Sequence, residues 1–283
     1  MIDFANTFNK LFSVLFAVLI LFTGTLNSMF TCGALPFREQ YTVVGLETLT
    51  RSQDVTTDGE YFYFSGKHAL EKTNLSCDEI IALNHEAIPS ELKEKYGSSH
   101  IGGISFYNGI IYAALEDSKV WAHPVIALYD AETLLYTGVC YELPTDLQTR
   151  GVPWVAVDGE NGVAYTGDSR NYTEIYKFSL EDFSYLETIT LSEDVVKIQG
   201  GEINGGYFYA GTNDMKRSVY KINLATGEAE KLFERITYEY KLIDNFGGEG
   251  EGLTVIKTEN GTELCTLQLG ATFLDATLRL YKL

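Results

Sequence analysis

A turn glycine recurs through this chain at spacings of 44 to 55 residues, each time followed at the third residue by an aromatic or apolar side chain. The instances are Asp58-Gly59 with Phe62, Asn108-Gly109 with Tyr112, Asn161-Gly162 with Tyr165, Gly205-Gly206 with Tyr209, and Asn260-Gly261 with Leu264. Asn-Gly and Asp-Gly pairs favour type I′ turns, because both central residues need positive φ, and they are a strong local signal for a hairpin. A repeat of this length points to an array of one supersecondary unit, since no single unit buries its own apolar face.

The flanks of these turns read as strands. Ile101 to Tyr107, Trp154 to Val157 and Leu253 to Ile256 precede a turn, while Ile110 to Leu115, Val163 to Thr166 and Tyr207 to Ala210 follow one. A third strand begins at Val125, Glu174, Ser218 and Thr277, and a fourth at Tyr185 or Glu228. Four antiparallel strands in about 40 to 50 residues make a propeller blade. Five anchors therefore predict an all-β, five-bladed β-propeller, with six short blades as the alternative. A β-sandwich would not explain the period. The last unit has only three strands before Leu283, and Tyr41 to Leu46 reads as a strand with no blade of its own. That strand is expected to complete the last blade, closing the ring and removing two exposed edges. Ser90 to Gly97 reads as one short helix, with Ser90 as N-cap and Gly97 ending it.

Residues 1–35 read as a signal peptide or N-terminal membrane anchor, and residues 36–283 as the propeller domain. Leu11 to Thr23 is an apolar run interrupted only by Ser13, short for a spanning helix and suited to an export signal. The chain is accordingly expected outside the cytoplasm, touching a membrane only through this segment, and monomeric. Cys32, Cys77, Cys140 and Cys265 form no C-x-x-C pair, which argues against zinc and leaves a Cys77–Cys140 disulfide or isolated thiols. A net charge of −18 repels phosphate backbones and excludes nucleic acid as a partner. No Walker loop, Rossmann fingerprint, G-x-S-x-G or H-E-x-x-H occurs.

Residues just upstream of each hairpin crowd one mouth of a propeller's channel. They include Gln53-Asp54, His100-Ile-Gly-Gly, Trp154, Gly200-Gly-Glu202 and Glu249-Gly-Glu251-Gly. Glycines here let backbones approach at a crowded axis. Converging carboxylates repel one another unless a cation or a proton sits among them. Asp54, Glu202 and Glu251 are candidate ligands for Ca²⁺, an ion that prefers oxygen donors. Asp54, Trp154 and Glu249 are candidates for holding a small-molecule or peptide ligand. Glu251 and His100 are the catalytic candidates, as acid and base. A mouth filled by water alone is the plain alternative.

At the last blade, Gly248-Glu-Gly-Glu-Gly-Leu-Thr254 resembles the Glu-Gly-Leu-Thr segments of the secreted glutamine cyclotransferase propellers. Ser218-Val-Tyr-Lys-Ile-Asn-Leu-Ala-Thr-Gly227 is similar to a blade turn shared with the regucalcin and gluconolactonase group. The resemblance implies a secreted propeller in which Glu249 or Glu251 acts on an N-terminal glutamine. The motif occurs clearly once, and the cyclotransferases' aromatic pocket is not recognisable. Three functions follow as expectations: a ligand- or cation-binding propeller, a calcium-assisted hydrolase, lactonase or cyclotransferase, and a scaffold for a protein partner.

Overall fold

A computed structural model describes residues 10–19, 21–22, 36–117, 120–235, 248–259, 261–270 and 273–283. Five four-stranded antiparallel sheets form the blades of a β-propeller. Blade one is β2 (Asp54–Thr57), β3 (Tyr61–Ser65), β4 (Leu70–Asn74) and β5 (Ile80–Asn84). Blade two is β6 (His100–Tyr107), β7 (Ile110–Glu116), β8 (Val125–Asp130) and β9 (Tyr136–Glu142). Blade three is β10 (Val155–Asp158), β11 (Val163–Thr166), β12 (Glu174–Ser179) and β13 (Tyr185–Thr190). Blade four is β14 (Ile198–Asn204), β15 (Tyr207–Thr212), β16 (Ser218–Asn223) and β17 (Ala229–Glu234). Blade five is β18 (Gly250–Thr258), β19 (Gly261–Leu269), β20 (Asp275–Lys282) and, from the other end of the chain, β1 (Glu39–Val44).

The expected closure is therefore present. β1 pairs antiparallel with β20, from Glu39 opposite Leu280 to Val44 opposite Asp275. Its alternating half-buried and exposed residues are those of an outermost strand with one covered face. The strand stops two residues earlier than the sequence suggests. Gly45 takes φ 99°, and a 3₁₀ turn, Leu46–Thr50, leads into blade one. The first strands of the five blades pack against one another around the axis, and β18 against β2 completes the circle.

The hydrophobic core lies between blades, which explains the aromatic residue after each turn. Phe62 and Phe64 of blade one meet Leu267, Leu278 and Leu280 of blade five. Tyr63 and Leu70 meet Ile101, Ile104 and Ile111 of blade two. Tyr112 meets Val155 and Phe178, Trp154 meets Phe208, and Tyr209 meets Leu253 and Leu264, so every blade-to-blade contact has its own cluster. Each fully buried side chain of this size contributes about 2 to 3 kcal/mol.

The turns are less uniform than their sequences. Asn108-Gly109 and Gly205-Gly206 have both residues at positive φ, as a type I′ turn requires, whereas Asp58-Gly59 and Asn161-Gly162 have only the glycine there. Asp58 instead accepts hydrogen bonds on Oδ1 from the N–H groups of Glu60 and Tyr61, which widens its turn. Asn260 lies outside the described residues. The short helix is Ser90–Tyr96 and ends at Gly97 in the left-handed region, as expected. Its N-cap, however, is Pro89 with no side-chain bond, so Ser90 is the first helical residue rather than the cap. Cys77, Cys140 and Cys265 are free thiols, and Cys32 lies outside the described residues. Residues 10–19 and 21–22 are helical, and no described helix is long and apolar enough to cross a membrane.

Candidate functional site at the channel

β2 places Asp54 at the centre of the ring, fully buried. Its Oδ1 accepts the N–H of Val55 at 2.8 Å, and its Oδ2 accepts the N–H of Ile104, from blade two, at 2.8 Å. Three glycines from three other blades make the space. A Cβ on Gly252 would lie 1.5 Å from Oδ1, one on Gly200 2.5 Å from Oδ2, and one on Gly103 3.1 Å from Oδ2. The glycines thus do more than let backbones approach one another: they form a socket for a carboxyl group. Burial pushes the Asp54 carboxyl well above the usual carboxylate range, the two backbone N–H groups oppose this, and Glu202 adds to the rise.

Asp54 divides the channel into two mouths. At the mouth where the inner strands begin, Glu251 is buried and hydrogen-bonds Glu249. Burial raises the Glu251 carboxyl well above its ordinary value; the Glu249 charge raises it further, and the Arg235 guanidinium opposes. Glu251 Oε1 is buried with no hydrogen-bond partner. Arg235 donates to the carbonyls of Arg217, Leu267, Thr212 and Glu251 at 2.7 to 3.3 Å, tying blade four to blade five behind this pair.

A polar arc continues from there. The N–H of Gly252 donates to the carbonyl of Gln53 at 3.3 Å, and the Gln53 side chain meets His100 Nε2 at 2.8 Å. His100 Nδ1 lies 3.4 Å from Glu116 Oε2, and Glu116 Oε1 is buried without a partner. Sequence reasoning missed Glu116, which ends the second strand of its blade rather than starting the first. Its signal is the register: counting back from the Asn108-Gly109 turn places Asp117 opposite His100, and the irregularity between Ile101 and Ile104 moves Glu116 there instead.

The six candidates are therefore not one cluster. Asp54 is sealed at the centre. His100, Glu249 and Glu251 share the mouth at the strand starts. Glu202 faces the opposite mouth, where its Oε2 accepts the hydroxyls of Thr56 at 3.0 Å and Thr254 at 3.2 Å. Trp154 lines neither mouth. It is 1% exposed, stacks on Phe208 with ring centres 4.6 Å apart, and packs over Gly167, so its role is in the core between blades three and four.

Calcium takes six to eight oxygen ligands. Among the described residues, no group of three or more His, Cys, Asp or Glu side chains is placed to hold a metal ion. Both Asp54 oxygens are engaged by backbone N–H groups, and Glu249 and Glu251 bond one another. Among the described residues, these side chains do not bring together the six to eight oxygens that Ca²⁺ takes.

Residues 105–249, just over half of the chain, match a family described as "Repeat of unknown function (DUF6923)". Among solved structures, the fold is similar to a glutaminyl cyclase from Myxococcus xanthus. That likeness has a TM-score of 0.56 at 12% identity and covers 87% of this chain and 95% of the other. A computationally designed protein, Ika8, aligns with a TM-score of 0.37 at 12% identity over 81% of this chain and 57% of its own. No curated protein matches. At these identities the likeness concerns the fold alone.

Proposed function

Because the chain belongs to the family of repeats of unknown function matched over residues 105–249, and that description carries no activity, we propose from its geometry that it is a ligand-binding propeller. Its site is the mouth where the inner strands begin, and its ligand is a small molecule or peptide rich in hydrogen-bond donors. The observation that supports this is two buried carboxyl oxygens near this mouth, Glu116 Oε1 and Glu251 Oε1, left without protein partners. Leaving such atoms unsatisfied costs about 1 to 3 kcal/mol each, a cost that a ligand donating to them would recover. The helical, apolar residues near the N-terminus agree with a site displayed outside the cytoplasm.

One observation favours an enzyme as a second reading. Glu249 and Glu251 are two hydrogen-bonded carboxyls side by side, the kind of pair that can move a proton onto a leaving group and take one from a nucleophile. In an N-terminal glutaminyl peptide the α-amine would attack its own side-chain amide carbon, closing the lactam as ammonia leaves. One carboxyl of the pair would protonate the departing amide nitrogen so that it leaves as ammonia, and the other would take the proton from the attacking amine. The similarity in fold to a glutaminyl cyclase makes this the reaction to assay.

One reagent tests both readings. A tripeptide beginning with glutamine is titrated into the chain by calorimetry, and ammonia release is followed in parallel. Saturable binding that Glu251→Gln weakens supports the ligand site. Ammonia release abolished by the same change supports the second reading. Binding unaffected by both Glu251→Gln and His100→Ala would remove this mouth as the site.

A further inference from the structure

The opposite mouth, where the hairpin turns gather, carries a second constellation. A cavity of about 610 Å³ opens there, within the range of small-molecule sites. Glu202 lies at its inner end, held there by Thr56 of blade one and Thr254 of blade five, and its Oε1 meets only the N–H of Ile203, at 3.2 Å. Tyr107 forms an aromatic wall, and Asp158, Glu160 and Lys257 complete the charged lining.

The wall is built by sequence. Gly159 has no positive φ, so its turn does not require glycine. A Cβ at Gly159 would lie 2.1 to 2.3 Å from three ring carbons of Tyr107. The glycine is therefore the seat on which the ring lies. Phe106, the preceding residue of the strand, faces the other way and stacks on Tyr63 with ring centres 5.6 Å apart. Three carboxylates against one ammonium make the cavity electronegative, and the face of an aromatic ring attracts a cation further.

We propose that this second mouth binds a small organic cation, an alkyl- or arylammonium, with its nitrogen at Glu202 and its carbon skeleton against Tyr107. The Thr56 and Thr254 hydroxyls hold the carboxylate in place before the ligand arrives. Glu202 is neutral below about pH 7 because of its burial, so uptake releases a proton there. Of the other titratable groups facing the cavity, Asp158 and Glu160 attract the ligand, Lys257 opposes it, Tyr107 contributes its ring, and Asp54 stands behind Glu202 on the axis.

The test is calorimetry of the full chain with phenethylammonium chloride. At about pH 8 binding is saturable; at about pH 5.5, or in Glu202→Gln, it is weaker by about tenfold or more. Tyr107→Ala weakens it severalfold, and Glu251→Gln, at the other mouth, leaves it unchanged. Unfolding curves confirm that each variant is folded, and Glu202→Asp restores part of the affinity. Absence of saturable binding at about pH 8, or equal binding by wild type and folded Glu202→Gln, overturns the proposal. So does a loss confined to Glu251→Gln, which would place the cation at the first mouth.

Discussion

Replacing Glu202 by glutamine should make the protein more stable in alkaline solution and leave it unchanged in acid. The fold raises this carboxyl from 4.5 to about 7, with burial as the main cause and the Thr56, Ile203 and Thr254 donors opposing it. A raised carboxyl pKa means that the folded chain holds a proton the unfolded chain has released. The stabilisation is complete below about pH 4.5 and is lost as pH climbs to about 7. The shift corresponds to about 3 kcal/mol at 1.36 kcal/mol per unit. Partial exposure of Glu202 to the cavity lowers the expected figure to about 2 kcal/mol. Glutamine keeps the shape and never ionises. Urea unfolding from about pH 4.5 to about pH 8 should show wild type and variant together at the acid end. They should diverge through the window until the variant leads by about 2 kcal/mol. Other buried carboxyls cancel in the difference. A gap that stays constant with pH, or wild type gaining on the variant as pH rises, would refute the assignment of a proton to Glu202.

Gly252→Ala forces a Cβ to within 1.5 Å of Asp54 and should cost about 3 kcal/mol or more in chemical unfolding, whereas Gly109→Ala, with nothing near it, should cost about 1 kcal/mol through its positive φ alone. Trp154→Ala should lose about 3 to 5 kcal/mol, with peptide binding by the folded fraction unchanged in titrations, since the ring stacks on Phe208 rather than lining a mouth. Calcium added after EDTA treatment should leave the melting temperature unmoved at neutral pH; a rise abolished by Glu251→Gln would show that a cation binds at the Glu249–Glu251 pair.

The architecture was legible because it depends on a period. A turn, a strand and an aromatic residue recurring about every 50 residues encode a blade each time, and a leftover strand at one end with a blade one strand short at the other encodes closure. Blade one was the hardest to parse: β4, Leu-Glu-Lys-Thr-Asn, carries two charged residues. Glu71 is nevertheless buried, paired with Arg51 at 2.5 Å and with the Thr50 hydroxyl, so a polar strand sits inside the sheet through an ion pair formed across the fold. The site was only partly legible, for a related reason. Position along a first strand shows that a residue is near the axis but not which mouth it faces. Asp54, Glu202 and Glu251 look equivalent in sequence, yet occupy the centre and the two ends. His100 was visible because it begins a strand. Glu116, its neighbour, depended on a one-residue irregularity that no local pattern records.

The pairing of β1 with β20 also orders events in time. Its partners stand about 240 residues apart. At the usual pace of translation, about 5 to 20 residues per second, the first strand to leave the ribosome waits roughly 12 to 50 seconds for its mate. As that interval runs, blades one to four each gain all of their own strands, while β1 has none to bind. The ring is locked only once β20 has emerged, so a chain cut off before Asp275 would carry two unpaired edges and nothing to join them.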